Sequence, residues 1–278
     1  MVKIVTDSAS DLPPEIAQKL NMTIVPLLVN LEGIIYQDRI DISPKEFYHK
    51  ISRENIIPTT SQVGPQDFYN CFKQLVEAGH QVLVISFSSR LSGTYQSALL
   101  AKDMLQTDLI EVVDTKCASI GQGLIALEAA QLAQSGAPLA EIKSRVRYMA
   151  EKMEHIFVVG SLDMLKKGGR INSAQAVIGG LLNIKPILQF NEGAIEPLTK
   201  ARGWKKALET MVKIMAERGH NLEQQRIGIS HSNCPEIAEQ LKGIVAEKFG
   251  VRDFFISEIG PVIGSHVGQE TLALFFLK

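Results

Sequence analysis

Short runs rich in β-branched residues alternate with segments of helical period along almost the entire chain. Runs at 3–6, 23–29, 82–87, 109–114, 156–159, 187–190, 226–230, 254–258 and 272–277 predict strands. Between them, Phe68, Cys71, Phe72, Leu75 and Val76 share one helical face. Trp204, Ala207, Leu208, Met211, Val212 and Met215 mark a second helix, and Ile237, Leu241, Ile244 and Val245 a third. Alternation of this kind predicts an α/β fold with a mainly parallel sheet in at least the first half. Glycine-rich patches near 168–180 mark the passage into a second lobe. The expected division is an N-terminal α/β domain over 1–160 and a C-terminal α/β domain over 161–278.

Composition narrows the class. A chain of 278 residues holds one large α/β domain or two smaller ones with ample core. Hydrophobic residues make up 45% and the formal net charge is −1, so no broad field points to nucleic acid or an anionic membrane. Cys71, Cys117 and Cys234 lie far apart without CxxC spacing, which fits a reducing compartment; Cys71 falls on the apolar helical face. Histidines and cysteines show no ligand spacing, so no metal site is expected. The chain opens on a strand, Val2-Lys3-Ile4-Val5, and no apolar run approaches the ~20 residues of a membrane span. A soluble, cytoplasmic protein is the expectation.

Candidate chemistry concentrates at strand-to-helix turns. The segment Ser86-Phe87-Ser88-Ser89-Arg90-Leu91-Ser92-Gly93-Thr94-Tyr95-Gln96 follows an apolar strand and leads into a helix. The first N–H groups of a helix lack partners, and Ser92 and Thr94 add side-chain donors, which makes an anion site. A second hydroxyl cluster, Thr59-Thr60-Ser61-Gln62, also precedes a helix. With Arg90 the one nearby cation, two such turns suit a single weakly charged head group better than a triphosphate. Ser and Thr are also good N-caps, and the residues leave both readings open. After the first strand, Asp11 reads as an N-cap ahead of Pro13 and Pro14, whereas Asp7 is either a loop organiser or a ligand group at a strand's carboxyl end.

Three further segments stand out. Lys166-Lys167-Gly168-Gly169-Arg170 sets cations beside a glycine pair, and Arg170 can pair bidentately with a carboxylate or phosphate. Lys200-Ala201-Arg202-Gly203-Trp204-Lys205-Lys206 opens a helix with positive charge. That arrangement opposes the helix dipole and argues against a local stability role for Arg202. Gly260-Pro261-Val262-Ile263-Gly264-Ser265-His266-Val267-Gly268 reads as a glycine-punctuated loop that holds His266 near packed structure. His231, at a strand end, is read as structural.

These motifs, with Val5-Thr6-Asp7-Ser8-Ala9-Ser10-Asp11-Leu12-Pro13, resemble the DegV family of bacterial proteins in order and spacing across essentially the whole chain. The resemblance implies two α/β lobes with a long-chain fatty acid such as palmitate buried between them. It implies no enzyme activity of the chain's own and no cofactor beyond that ligand. Its implied role is the fatty-acid-binding subunit of a fatty acid kinase, presenting the carboxylate to a separate ATP-dependent subunit, with transient membrane contact allowed. Carried over residue by residue, the carboxylate site falls on Thr60, Ser61, Ser92, Gly93, Thr94 and His266. Arg170 and Arg202 become candidates for contact with the partner or the acyl phosphate. Two departures from the family pattern are Gln269-Glu270-Thr271 after the His266 segment, and Arg90 where relatives carry a small residue.

The competing class is a serine-type lipid hydrolase using Ser92 or Ser61 with His266. No GxSxG elbow supports it. A self-contained phosphotransferase is a further rival, and it lacks a Walker loop.

Overall fold

The computed structural model describes residues 1–54, 56–171 and 183–278. In the first lobe, β1 (Val2–Asp7) leads through a short 3-10 turn to α1 (Pro14–Lys19) and β2 (Thr23–Val25). Then come β3 (Leu28–Leu31), β4 (Ile34–Gln37), α2 (Pro44–Glu54), β5 (Thr59–Ser61) and α3 (Pro65–Glu77). The lobe is completed by β6 (Gln81–Ser86), α4 (Thr94–Leu105), β7 (Ile110–Asp114), α5 (Ser119–Gln134) and α6 (Leu139–Lys152). The second lobe holds β8 (Met153–Val158), α7 (Asp163–Lys167), β9 (Ile184–Asn191), β10 (Ala194–Arg202) and α8 (Gly203–Arg218). It continues through β11 (Arg226–Ser232), α9 (Pro235–Phe249), β12 (Asp253–Glu258), α10 (Pro261–Val267) and β13 (Thr271–Leu277).

The expected parallel sheet is present, in the order β2-β1-β6-β7 with every pairing parallel. Its strand β6 is buried from Val82 to Ser86 because helices cover it: the α3–α4 pair and the α5–α6 pair both pack on it. The second sheet runs β10-β9-β8-β13-β11-β12 and is antiparallel except for β11–β12. Its strands alternate. Ile156, Val158, Leu272, Leu274 and Phe276 face a core formed with α8 and α9, whereas Phe157, Ala273 and Phe275 join the core shared with the first lobe. Helix α5 is buried almost all round because it touches both sheets. Gly121 lets it approach His155 and Phe275, where a Cβ would collide with both rings.

Several expectations change. The run 23–29 is two strands in two different sheets, because Pro26 interrupts the ladder. Thr59–Ser61 is itself a strand in a small antiparallel sheet of order β4-β3-β5. Residues 261–267, read as part of a loop, form α10, so His266 sits in the last turn of a helix. Asp11 is no N-cap: it is fully buried at φ 54°, closes the 3-10 turn, and leaves the cap position of α1 to Pro13. The chain enters the second sheet at β8. Of the glycine-rich stretch near 168–180, residues 172–180 lie outside the described residues.

Candidate functional site

A slot of about 360 Å³ lies between the lobes, beside the turn that follows the carboxyl end of β6. One wall is the sheet face carrying His155, Phe157, Phe190, Ala273 and Phe275. The opposite wall comes from the turn after β6 (Phe87, Leu91, Ser92, Gly93) and the start of α5 (Ala118, Ser119). Thr60 and Ser61 of β5 and the following Gln62, together with Val262, Ile263 and His266 of α10, close one end. A pocket of this size, mostly apolar with a few convergent polar groups, suits a small amphipathic ligand.

The polar groups at that end hold one another. Thr60 Oγ1 and His266 Nε2 lie 2.8 Å apart across the lobes. Ser92 Oγ contacts Thr94 Oγ1 at 2.9 Å and accepts the Thr94 N–H at 3.2 Å, so Thr94 stands behind the slot and fixes Ser92. The amide of Gln62 packs against Gly93, where any Cβ would collide with it, and donates to Ser97 Oγ at 2.9 Å. Gly168 approaches His266 closely for the same steric reason, since a Cβ there would collide with the ring at Nδ1. Arg170 lines the slot, donating from Nη1 to the Gly168 carbonyl at 2.5 Å and from Nε to that of Leu91 at 3.2 Å.

Electrostatics follow from burial. Burial pushes the His266 pKa down to about 4, and the Arg170 cation acts in the same direction, so the ring is neutral at physiological pH. The end of the slot thus combines hydroxyls, a neutral imidazole and one half-buried guanidinium, which suits a single carboxylate. Ser61 and Ser92 make no hydrogen bond to His266 among the described residues; Thr60 takes that place. His231 is half-buried on β11, outside the slot.

Other predicted groups have different work. Asp7 accepts from the N–H groups of Ala9 and Phe87 and from Gln122, so it organises the loops. Ser88 donates to the Gly193 carbonyl at 2.7 Å, and Ser89 to Asp114. Arg202 is exposed at the junction of β10 and α8 and does not line the slot. The departure at Gln269-Glu270 supplies two tethers: Gln269 donates to the Tyr48 carbonyl and Glu270 pairs with Lys185 at 2.7 Å. The sheet-face residues Phe157, Phe190, Ala273 and Phe275 were not distinguishable from core by period alone, since both readings give the same alternation.

Among the described residues, no group of three or more acidic, His or Cys side chains is placed to hold a metal, and no helix is long and apolar enough to cross a membrane. Two stacked α/β lobes with an amphipathic slot between them define the class: a small-molecule-binding protein with its ligand enclosed between lobes. The chain belongs to the DegV family, whose model, described as "Uncharacterised protein, DegV family COG1307", matches residues 1–278. It is 44% identical to a DegV domain-containing protein of Clostridium perfringens, over 99% of this chain and 96% of the relative. Its fold matches a fatty-acid-binding DegV family protein from Thermus thermophilus with TM-score 0.93 and 37% identity, covering 100% of this chain and 99% of that one. It also matches DegV of Bacillus subtilis, described as a fatty acid binding protein, with TM-score 0.89 and 32% identity over 100% and 99% of the two chains.

Proposed function

We propose that the chain binds one long-chain fatty acid such as palmitate in the slot and presents its carboxylate to a separate ATP-dependent kinase subunit. The supporting observation is the slot itself, with aromatic and aliphatic walls and the Thr60–His266 pair at one end. Each buried methylene contributes about 0.8 kcal/mol, and the polar end satisfies a charge that would otherwise be costly to bury. Ser119 and Ser230 also touch the slot, but their hydroxyls are engaged with each other and with Asp11. Thr60, Ser61, Ser92, the Gly93 backbone and His266 would hold the carboxylate. One oxygen then attacks the terminal phosphorus of ATP on the partner, releasing ADP and leaving the acyl phosphate. The chain needs no cofactor beyond the acyl ligand, and as a bacterial cytoplasmic carrier it meets membranes only transiently.

Organic extraction of purified protein followed by mass spectrometry is expected to yield one acyl chain per polypeptide. Absence of a stoichiometric acyl species would overturn the reading. Ser92→Ala and Thr60→Ala are each expected to weaken binding by roughly 1–3 kcal/mol, the scale of a buried charge losing one donor. Tryptophan or lipid-probe titration checks this; unchanged affinity with a lower Tm would make the hydroxyls structural.

Partner contact is assigned to the exposed cation Arg202 and, with a role shared between fold and site, to Arg170. Arg202→Ala is expected to retain bound fatty acid and to lose acyl-phosphate formation in a reconstituted assay with a cognate kinase subunit. Full activity of that variant would move the partner face elsewhere.

A further inference from the structure

Behind the slot lies a buried polar cluster that no ligand contact explains. Asp11 is fully buried and does not line the slot. Its carboxylate accepts the Gly260 N–H at 2.7 Å, the Ser119 hydroxyl, and Arg39 Nη2 at 3.3 Å, while its carbonyl accepts the Ser257 hydroxyl at 2.8 Å. Arg39 also donates to the Glu258 carbonyl, and Tyr48 donates to that of Ile259 at 3.0 Å. Three members, Asp11, Arg39 and Ser119, have φ values of 54°, 62° and 52°, in the left-handed region that non-glycine residues occupy at a cost. Such conformations persist where surrounding contacts fix them, and here the three side chains converge on one point.

That point matters for the slot. Ser119 opens α5 and lines the slot; Gly260 is the N-cap of α10, whose last turn carries His266. The packing there has no slack, since a Cβ on Gly260 would meet Arg39 Nε at 2.8 Å, Asp11 Oδ1 at 2.9 Å and Asp38 Oδ1 at 3.3 Å.

We infer that Asp11 is a positioning residue: its carboxylate locks the start of α10 to the start of α5 and so preforms the head-group pair Thr60–His266. The role rests on the fatty-acid reading of the slot, but its geometry is testable without ligand.

The test uses Asp11→Asn and Gly260→Ala in the full chain. The second deletes no side chain of the cluster but wedges it apart, at a backbone conformation (φ −72°) that alanine accepts. The first readout is the His266 ring in delipidated protein, followed by NMR across about pH 4 to 8 and assigned by its loss in His266→Gln. His266 faces Thr60, Arg170 and the Gly168 backbone, and in the parent it stays neutral through this range down to its pKa of about 4. In both variants it is expected to titrate near the ordinary value of about 6.5. The second readout is fatty-acid affinity, expected to fall about tenfold or more, the scale of one lost buried hydrogen bond. Leu241→Ala, in the outer core of the second lobe, serves as the control and is expected to lower Tm without changing either readout. Variants that melt lower yet keep the parent's His266 titration and affinity would overturn the positioning role. Equal changes in Leu241→Ala would overturn it too. If the parent binds no fatty acid while both variants release His266, the ligand reading fails and the positioning role stands.

Discussion

Ala273→Phe is expected to abolish stoichiometric fatty-acid binding while leaving the protein folded. Ala273 lies on β13 with its side chain in the slot wall, opposite Phe157 on β8 and Ser230 on β11 in the strand register. A phenyl ring there occupies volume that the acyl chain needs in a slot of about 360 Å³. Displacing four or five methylenes removes roughly 3–4 kcal/mol of burial, a loss of several hundred-fold in affinity. The fold tolerates the change because the ring enters a cavity and not a packed core, where overpacking costs about 1–3 kcal/mol. Native mass spectrometry of the purified variant, with Tm measured alongside, provides the check. Retention of one acyl chain per polypeptide by folded Ala273→Phe would show that the ligand lies elsewhere.

Asp38→Asn is expected to gain stability on the parent as pH rises from about 4 to about 7. Asp38 is buried, and both its carboxylate oxygens lack a hydrogen-bond partner among the described residues. Burial pushes its pKa from 3.8 up to about 7, against the pull of the Arg39 guanidinium. The folded protein therefore binds this proton more tightly than the unfolded chain does. The resulting stabilisation is complete below about pH 4 and is lost as pH climbs to about 7. Its full extent is on the order of 2–4 kcal/mol. Asp7, raised to about 6 by burial, acts in the same direction. His155 and His266, both lowered to about 4, act oppositely between pH 4 and 6.5, and their contribution cancels in a comparison of Asp38→Asn with the parent. Urea denaturation at pH 5 and pH 8 should show Asp38→Asn gaining about 2–3 kcal/mol on the parent at the higher pH. An equal difference at both pH values would mean that Arg39 keeps Asp38 ionised throughout.

Local patterning carried much of the first lobe. The β-branched runs of β1, β6 and β7 and the spacing of Phe68 and Phe72 gave element types that the structure keeps, because helices pack on both faces of this sheet. The strand Ala194–Arg202 went unread because its Glu196, Pro197 and Lys200 break the alternation. Helix α10 went unread because glycine and proline signal a loop locally, while its packing against α7 and α2 supplies what propensity does not. At the site, the hydroxyls of Thr60, Ser61, Ser92 and Thr94 were legible as an anion site, while Gly93 and His266 entered through the family resemblance. The aromatic wall was not legible, because a slot-facing side chain and a core side chain follow the same period.

The sequence by itself determined the α/β alternation, the parallel sheet, the family and the hydroxyl-rich turns. Each of these depends on contacts within a few residues or on motifs that survive as strings. Tertiary structure decided which hydroxyl meets His266, since Thr60 and His266 are 206 positions apart and meet only in the folded chain. It also decided the work of Asp11. A short acidic side chain before two prolines is locally a good N-cap, but burial against Gly260, Ser119 and Arg39 offers its charge more partners than a helix end would.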